Sequence, residues 1–186
     1  MGKFVFGLII GLIAVPLVVY AYFSMGMAPV ATAAPPMPFE KTFARIALHA
    51  RLEKEMPKSA PIQADEAAYL AGAQVYKENC AVCHGLPLTQ QTAIAKGMFP
   101  KPPKLMEGTG VTDDPAGETY WKVANGIRMT GMPGYSGSLS ATQMWQVSLL
   151  LANADKLPQP VKDSLMSASP APVSTTPAPM TPAPPK

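Results

Sequence analysis

The segment Cys80-Ala-Val-Cys83-His84 holds both cysteines of this 186-residue chain, and the rest of the sequence is best interpreted outward from it. Two thiols three positions apart can reach the two vinyl groups on one edge of a porphyrin and form thioethers with them. The histidine that follows is then delivered to the iron as an axial ligand. The motif therefore predicts one covalently attached haem c, with His84 as a metal ligand.

A Cys-x-x-Cys pair also occurs in zinc sites and in thioredoxin-like redox sites. A zinc site needs two further Cys or His ligands, and outside the motif the chain offers only His49. A redox pair usually lies at a strand-to-helix junction within a βαβ pattern, which the sequence does not show. Both alternatives are less favoured than haem attachment, and His49 is predicted to be a partly exposed helix residue rather than an iron ligand.

An uncharged apolar run from Phe4 to Phe23 is long enough to cross a bilayer as a helix. Lys3 precedes it and the next positive charge is Lys41, so the positive-inside tendency places the N-terminus in the cytoplasm and the remainder outside. The competing interpretation is a cleaved signal peptide, because Ala31-Thr-Ala33 is a small-residue triplet. The length of the run and its distance from the triplet favour an uncleaved anchor.

The composition changes several times along the chain, and these changes predict five segments. The first three are a transmembrane anchor, a semi-extended Ala/Pro-rich connector, and an amphipathic helix with its connector. The amphipathic helix either lies on the membrane or docks on the next domain. A haem domain and a disordered Pro/Ala-rich tail follow. In chain order the segments are 1–23, 24–38, 39–63, 64–157 and 158–186.

Three helices are predicted in the haem domain, and no strand alternation is apparent. The first runs from Asp65 to Asn79. The second begins after Asp114 with Pro115 in its first turn and ends at Asn125-Gly126. The third starts at the capping box formed by Ser140 and Gln143 and ends near Asn153.

The loop between the second and third helices, residues 127–135, contains two methionines, Met129 and Met132. A thioether is a soft, neutral ligand that suits haem iron in electron-transfer sites and raises its potential. Gly131 and Pro133 would fix the backbone on either side of Met132, so Met132 is the predicted second metal ligand. Met129 is predicted to pack in the core or to make a loop contact.

Three segments together resemble the class I cytochromes c. They are Gly72-x-x-x-Tyr76-x-x-x-Cys80-x-x-Cys83-His84, Asn125-Gly-Ile-x-x-Thr-Gly-Met132-Pro, and a last helix with Trp145. The resemblance implies an all-α cytochrome c fold around one covalent haem, with the last helix crossing the first near Gly72. It also implies that His84 and Met132 are the axial ligands and that a proline carbonyl in Lys101-Pro-Pro-Lys-Leu105 bonds the ring of His84. Pro103 fits this role best, because Leu105 follows it two positions later.

The resemblance implies electron transfer rather than catalysis, because both axial positions are filled and no distal acid-base group is evident. The chain is similar to membrane-anchored mono-haem cytochromes of bacteria, which implies a periplasmic haem domain on a single-pass anchor and membrane redox complexes or other electron-transfer proteins as partners. A fixed subunit of a larger respiratory or photosynthetic complex is the alternative, and a peroxidase-like enzyme is less favoured. A net charge of +3, with nearly balanced charges in the haem domain, gives no indication of nucleic acid binding.

Overall fold

The computed structural model describes residues 2–167, and in that range the chain forms helices and no strands. The longer helices, in chain order, are α1 (Gly2–Ser24), α2 (Glu40–Glu55), α3 (Glu66–Asn79), α6 (Ala116–Asn125), α7 (Ala141–Ala152) and α8 (Gln159–Met166). Two short helices, α4 (Ala81–His84) and α5 (Ala93–Gly97), follow α3, and a 3₁₀ turn, Ala154–Lys156, follows α7. The prediction of an all-α fold is confirmed.

The first helix, α1, is apolar from Phe4 to Phe23, with Lys3 in its first turn, and none of its residues is buried against the rest of the chain. Its 23 residues are long and apolar enough to cross a bilayer, which makes it a candidate membrane anchor or signal sequence by length and composition. The connector after it is less extended than predicted. It contains two turns. In one, the Ala34 amide donates to the Ala31 carbonyl; in the other, the Glu40 amide donates to the Met37 carbonyl and the Met37 amide donates to the Glu40 carboxylate.

The crossing of α3 and α7 forms the centre of the globular part. Gly72 lies at the crossing point, and a Cβ atom added there would stand 2.4 Å from the carbonyl oxygen of Gln146. Next to it, Ala73, Tyr76 and Val147 are completely buried. The absence of a side chain at Gly72 therefore allows the two backbones to touch, as the resemblance implied.

Helix α6 also packs against α7 and contributes to the core. The ring of Tyr120 stacks on that of Trp145 with 4.3 Å between the ring centroids. At the start of α7, the hydroxyl of Ser140 accepts a hydrogen bond from the backbone N–H of Gln143. The side-chain oxygen of Gln143 accepts one from the backbone N–H of Ser140. The predicted capping box is thus confirmed, and α7 begins one residue after Ser140.

The amphipathic segment is a helix that docks on the globular part at its C-terminal end. Leu52 is only 2% exposed, and the indole N–H of Trp121 donates to Glu55 at 3.1 Å. Just beyond the helix, the carbonyl of Pro57 approaches the backbone of Gly117 so closely that a Cβ there would be 1.9 Å away. Of the two predicted roles of α2, docking on the next domain is therefore present at this end.

The prediction that the chain is disordered from residue 158 onwards is wrong for residues 159–166. These residues form α8, which packs on α3 with Val161 completely buried and Leu165 1% exposed. The ammonium of Lys77 donates to the backbone carbonyl of Ser164 at 3.2 Å. Two apolar residues four positions apart are too few to indicate a helix by composition, but they suffice when a neighbouring helix covers them. The remainder of the predicted tail, 168–186, lies outside the described residues.

Replacing Leu165 by alanine is expected to lower the free energy of unfolding by ~2–5 kcal/mol, because it leaves a cavity between α8 and α3. The adjacent Met166, which is 53% exposed, provides the control. Met166→Ala is expected to change the free energy of unfolding by less than about 0.5 kcal/mol. Denaturant unfolding followed by tryptophan fluorescence measures both. Equal effects of the two substitutions would mean that α8 does not pack as described.

Candidate haem site

The attachment motif lies on a helical turn that continues directly from α3. Cys80 is the junction residue: its amide donates to the carbonyl of Tyr76, and its own carbonyl accepts from the amide of His84, both at 2.9 Å. The turn ends at Gly85, where φ is +77°, a conformation that favours glycine. Both thiols and the imidazole are therefore presented from a single turn of backbone.

The imidazole of His84 is oriented by the backbone of a distant loop. Its Nδ1 lies 2.7 Å from the carbonyl oxygen of Pro103. Because a carbonyl can only accept, Nδ1 carries the proton and Nε2 keeps its lone pair free for a metal. Burial is the main influence on this group and lowers the pKa of His84, while the bond to Pro103 acts in the opposite sense. A neutral imidazole with a free Nε2 is the form that binds iron.

Burial raises the pKa of the Cys80 thiol to about 12, with a smaller contribution from the nearby Cys83. Cys80 packs against the hydrophobic core, as do Leu105 and Met132. The predicted thioether position is therefore in apolar surroundings, which suits the edge of a porphyrin. Among the described residues, no group of three or more His, Cys, Asp or Glu side chains gathers around a potential metal position.

Two tyrosines hold the attachment turn at its two ends. The hydroxyl of Tyr76 donates to the carbonyl of Gly85 at 2.7 Å, just after His84. The hydroxyl of Tyr135 donates to the carbonyl of Asn79 at 2.8 Å, just before Cys80. Since Tyr135 is the last residue of the loop that contains Met132, its bond ties that loop to the attachment turn. Neither phenolic bond was predicted, because each depends on a backbone carbonyl that no sequence pattern identifies.

The backbone around Met132 is fixed by hydrogen bonds within its own loop. Its amide donates to the hydroxyl of Thr130 at 3.1 Å, and its carbonyl accepts from the amide of Ile127 at 3.2 Å. The loop then runs back alongside Gly126, where φ is +69° and an added Cβ would stand 2.8 Å from the Met132 carbonyl. The Met132 side chain packs against the core. The loop therefore holds this thioether in a defined, partly buried place.

Met129 differs from Met132 in its surroundings. It is 85% exposed and has a φ of +62°, so of its two predicted roles, core packing or a loop contact, core packing is wrong. Another methionine, Met98, lies against the loop instead, with its methyl group 1.9 Å from where a Cβ of Gly131 would stand. Met98 follows the short helix α5 and gave no periodic signal in the sequence. His49, the other histidine, is exposed on α2.

Leu105 is partly buried against the core and follows Pro103 in the segment that reaches the imidazole. Its backbone passes close to Gly110, where an added Cβ would stand 2.4 Å from the Leu105 carbonyl oxygen and where φ is +57°. The turn at Gly110 therefore returns the chain directly over Leu105. The contact with Gly110 thus restricts the backbone of Leu105, two residues after the Pro103 carbonyl that bonds His84.

The residues present fit a covalent c-type haem. One turn supplies two thiols and an imidazole whose Nε2 is free, and a hydrogen-bonded loop supplies a thioether that packs on the same core as Cys80. Residues 67–149, which contain all of these groups, match the family model described as cytochrome c oxidase, cbb3-type, subunit III. This part of the chain is a c-type cytochrome domain. Such a domain implies haem c and haem-based electron transfer.

Among solved structures, the chain is similar to one from the Kuenenia stuttgartiensis reducing HAO-like protein complex. The identity is 21% and the TM-score is 0.46, over 54% of this chain. The chain spans about half, 49%, of that structure's own length. No curated protein sequence matches the chain significantly.

Proposed function

We propose that the protein is a membrane-anchored mono-haem cytochrome c that carries single electrons between membrane redox complexes on the periplasmic side of a bacterial cytoplasmic membrane. The observation that supports this most directly is the bond from His84 to Pro103, because it leaves Nε2 free for iron. Cys80 and Cys83 would form the thioethers, and His84 and Met132 would be the axial ligands. When bound, the haem iron supplies a one-electron couple between its ferrous and ferric states.

The surrounding residues would keep this couple free of other chemistry. Pro103 would orient His84, Leu105 would provide apolar contact, and the loop bonds of Thr130 would hold Met132 in place. A peroxidase-like enzyme instead needs an open axial position with an acid-base side chain nearby. His49, the one histidine outside the motif, is exposed on α2. An electron carrier is therefore the better proposal.

The family description favours one alternative, a fixed cytochrome subunit of a larger oxidase complex. Its site chemistry would be the same, and only the mobility of the haem domain would differ. Native mass measurement of the protein after purification in mild detergent separates the two. A mobile carrier is expected at the mass of the single chain, whereas a fixed subunit is expected to be isolated with stable partner chains.

Intact mass measurement of protein extracted from membranes tests the proposal itself. We expect the mass of the chain from residue 1 or 2, increased by one haem bound through two thioethers. A start at Ala34 would show that α1 is removed and would contradict the anchor while leaving the haem site in place. A chain without the added haem, or one carrying zinc, would contradict the haem site.

A further inference from the structure

Helix α2 has apolar residues on two opposite sides, and only one side is used by the fold. Leu52 and, one turn earlier, Leu48 lie on the side that docks on the globular part. On the other side Phe43 and Ile46 are 68% and 59% exposed, and Phe39, the residue immediately before α2, is 71% exposed. A spacing of three residues places Phe43 and Ile46 in one row along the helix, and the ring of Phe39 meets that of Phe43. These three side chains are here called the outer stripe.

The outer stripe is a contiguous surface rather than a set of scattered apolar residues. The rings of Phe39 and Phe43 meet edge to face with their centroids 6.3 Å apart. Ala50, which is also exposed, follows Phe43 by seven positions and continues the row. Single exposed apolar side chains are ordinary, but a continuous apolar row marks a surface that contacts another protein, a ligand or a membrane.

The position of the outer stripe in the chain indicates what it contacts. Fifteen residues separate the end of α1 at Ser24 from the start of α2 at Glu40. A connector of this length reaches at most ~50 Å when fully extended, and the two turns within it shorten that reach. The stripe is thus tethered beside the bilayer that α1 would cross. Tethering converts a weak surface contact into an intramolecular one with a high effective concentration.

The charges of α2 indicate which part of the bilayer is recognised. Four basic residues are offset by three acidic ones, so attraction to anionic headgroups is weak. The aromatic and aliphatic side chains of the stripe instead suit the boundary between headgroups and acyl chains, where interfacial helices bury their apolar side. The partner is therefore the apolar boundary of the lipid layer.

We propose that the outer stripe of α2, Phe39, Phe43 and Ile46, inserts into the bilayer surface on the side where α1 emerges. This proposal rests on the proposed function, because it requires α1 to remain as the anchor. Since Leu52 and Glu55 attach the other side of α2 to the globular part, insertion would fix how the haem domain is turned toward the membrane. The haem edge would then meet membrane partners in one orientation.

The experiment places a nitroxide spin label on the full-length holoprotein in nanodiscs of phosphatidylethanolamine and phosphatidylglycerol. Ala50→Cys carries the label on the stripe side, and Ala44→Cys carries it on a side of α2 that points away from the stripe. The native cysteines would be held as thioethers and would not react. The measurement compares relaxation of each label by oxygen, which concentrates in lipid, with relaxation by a water-soluble nickel complex.

We expect oxygen to dominate at position 50 and the nickel complex to dominate at position 44. Adding Phe39→Ser and Phe43→Ser to the Ala50→Cys protein is expected to make the label at position 50 relax as the label at position 44 does, with the nickel complex dominant. If the protein is found in the discs but the label at 50 is as water-exposed as that at 44, the docking proposal is wrong and the anchor stands. A label at 50 shielded from both reagents would mean that protein covers the stripe. Recovery of the protein outside the discs would remove the anchor, and with it this proposal.

Discussion

Met132→Ala is expected to lower the reduction potential and to open the iron to carbon monoxide. A thioether ligand favours the ferrous state, so its loss should lower the potential by roughly tenths of a volt, within the ~0.8 V range over which axial ligands tune haem. Water, hydroxide or a lysine would then occupy the vacated position. Redox titration of the purified holoprotein measures the potential, and the absorbance of the ferrous protein under carbon monoxide measures access to the iron.

Met129→Ala is the matched control because it removes the same side chain from the same loop. Met129 is 85% exposed, whereas Met132 packs against the core, so the control is expected to keep the spectrum and potential of the parent protein. Opposite behaviour of the two variants would exchange the assignments. If neither changed the ferric spectrum, the sixth ligand would lie elsewhere, with His49 the first residue to test.

Gly72→Ala is expected to destabilise the protein strongly, although alanine is the better helix former by ~1 kcal/mol. The new methyl group would stand 2.4 Å from a backbone oxygen of α7, and backbone cannot move aside as a flexible side chain can. Overpacking of this kind costs on the order of 3 kcal/mol, which lowers the melting temperature of a domain of this size by roughly 10 °C or more. Thermal unfolding and the haem-to-protein ratio both report the change.

Gly97→Ala provides the comparison, because a Cβ at this helical glycine meets nothing within 4 Å. It is expected to leave the melting temperature unchanged or slightly raised. A Gly72→Ala protein as stable as the Gly97→Ala protein would show that α3 and α7 do not touch at this point. The contrast therefore tests the crossing itself and not the general effect of removing glycine.

The sequence predicted best what local chemistry determines. The capping box at Ser140 and Gln143 needs only residues three positions apart, and α7 begins where it predicts. Helix α3, the first helix predicted in the haem domain, likewise begins directly after its Asp65 cap, whose carboxylate accepts from the Ala68 amide at 2.8 Å. The attachment turn was recognisable for the same reason, since its thiols and imidazole are neighbours in the chain.

Features that depend on distant contacts could not be predicted. Helix α8 has two buried apolar residues and becomes helical because α3 covers them. The hydroxyl of Tyr135 finds a carbonyl 56 positions away, and no pattern within its own loop points there. The turns of the connector arise from specific bonds such as that from the Met37 amide to the Glu40 carboxylate at 2.8 Å. Composition alone indicated an extended segment and a tail.

The packing of α8 on α3 also sets where a soluble version of this protein can be cut. The change in composition suggests trimming after residue 157, but that cut would uncover the groove that Val161 and Leu165 fill. Newly bared apolar surface promotes aggregation, so the trimmed protein would be expected to precipitate. A soluble version should therefore end beyond Ser167. It should begin at or before Glu40, so that α2 is kept and Leu52 stays buried against the globular part; this preserves every buried contact described for the haem domain.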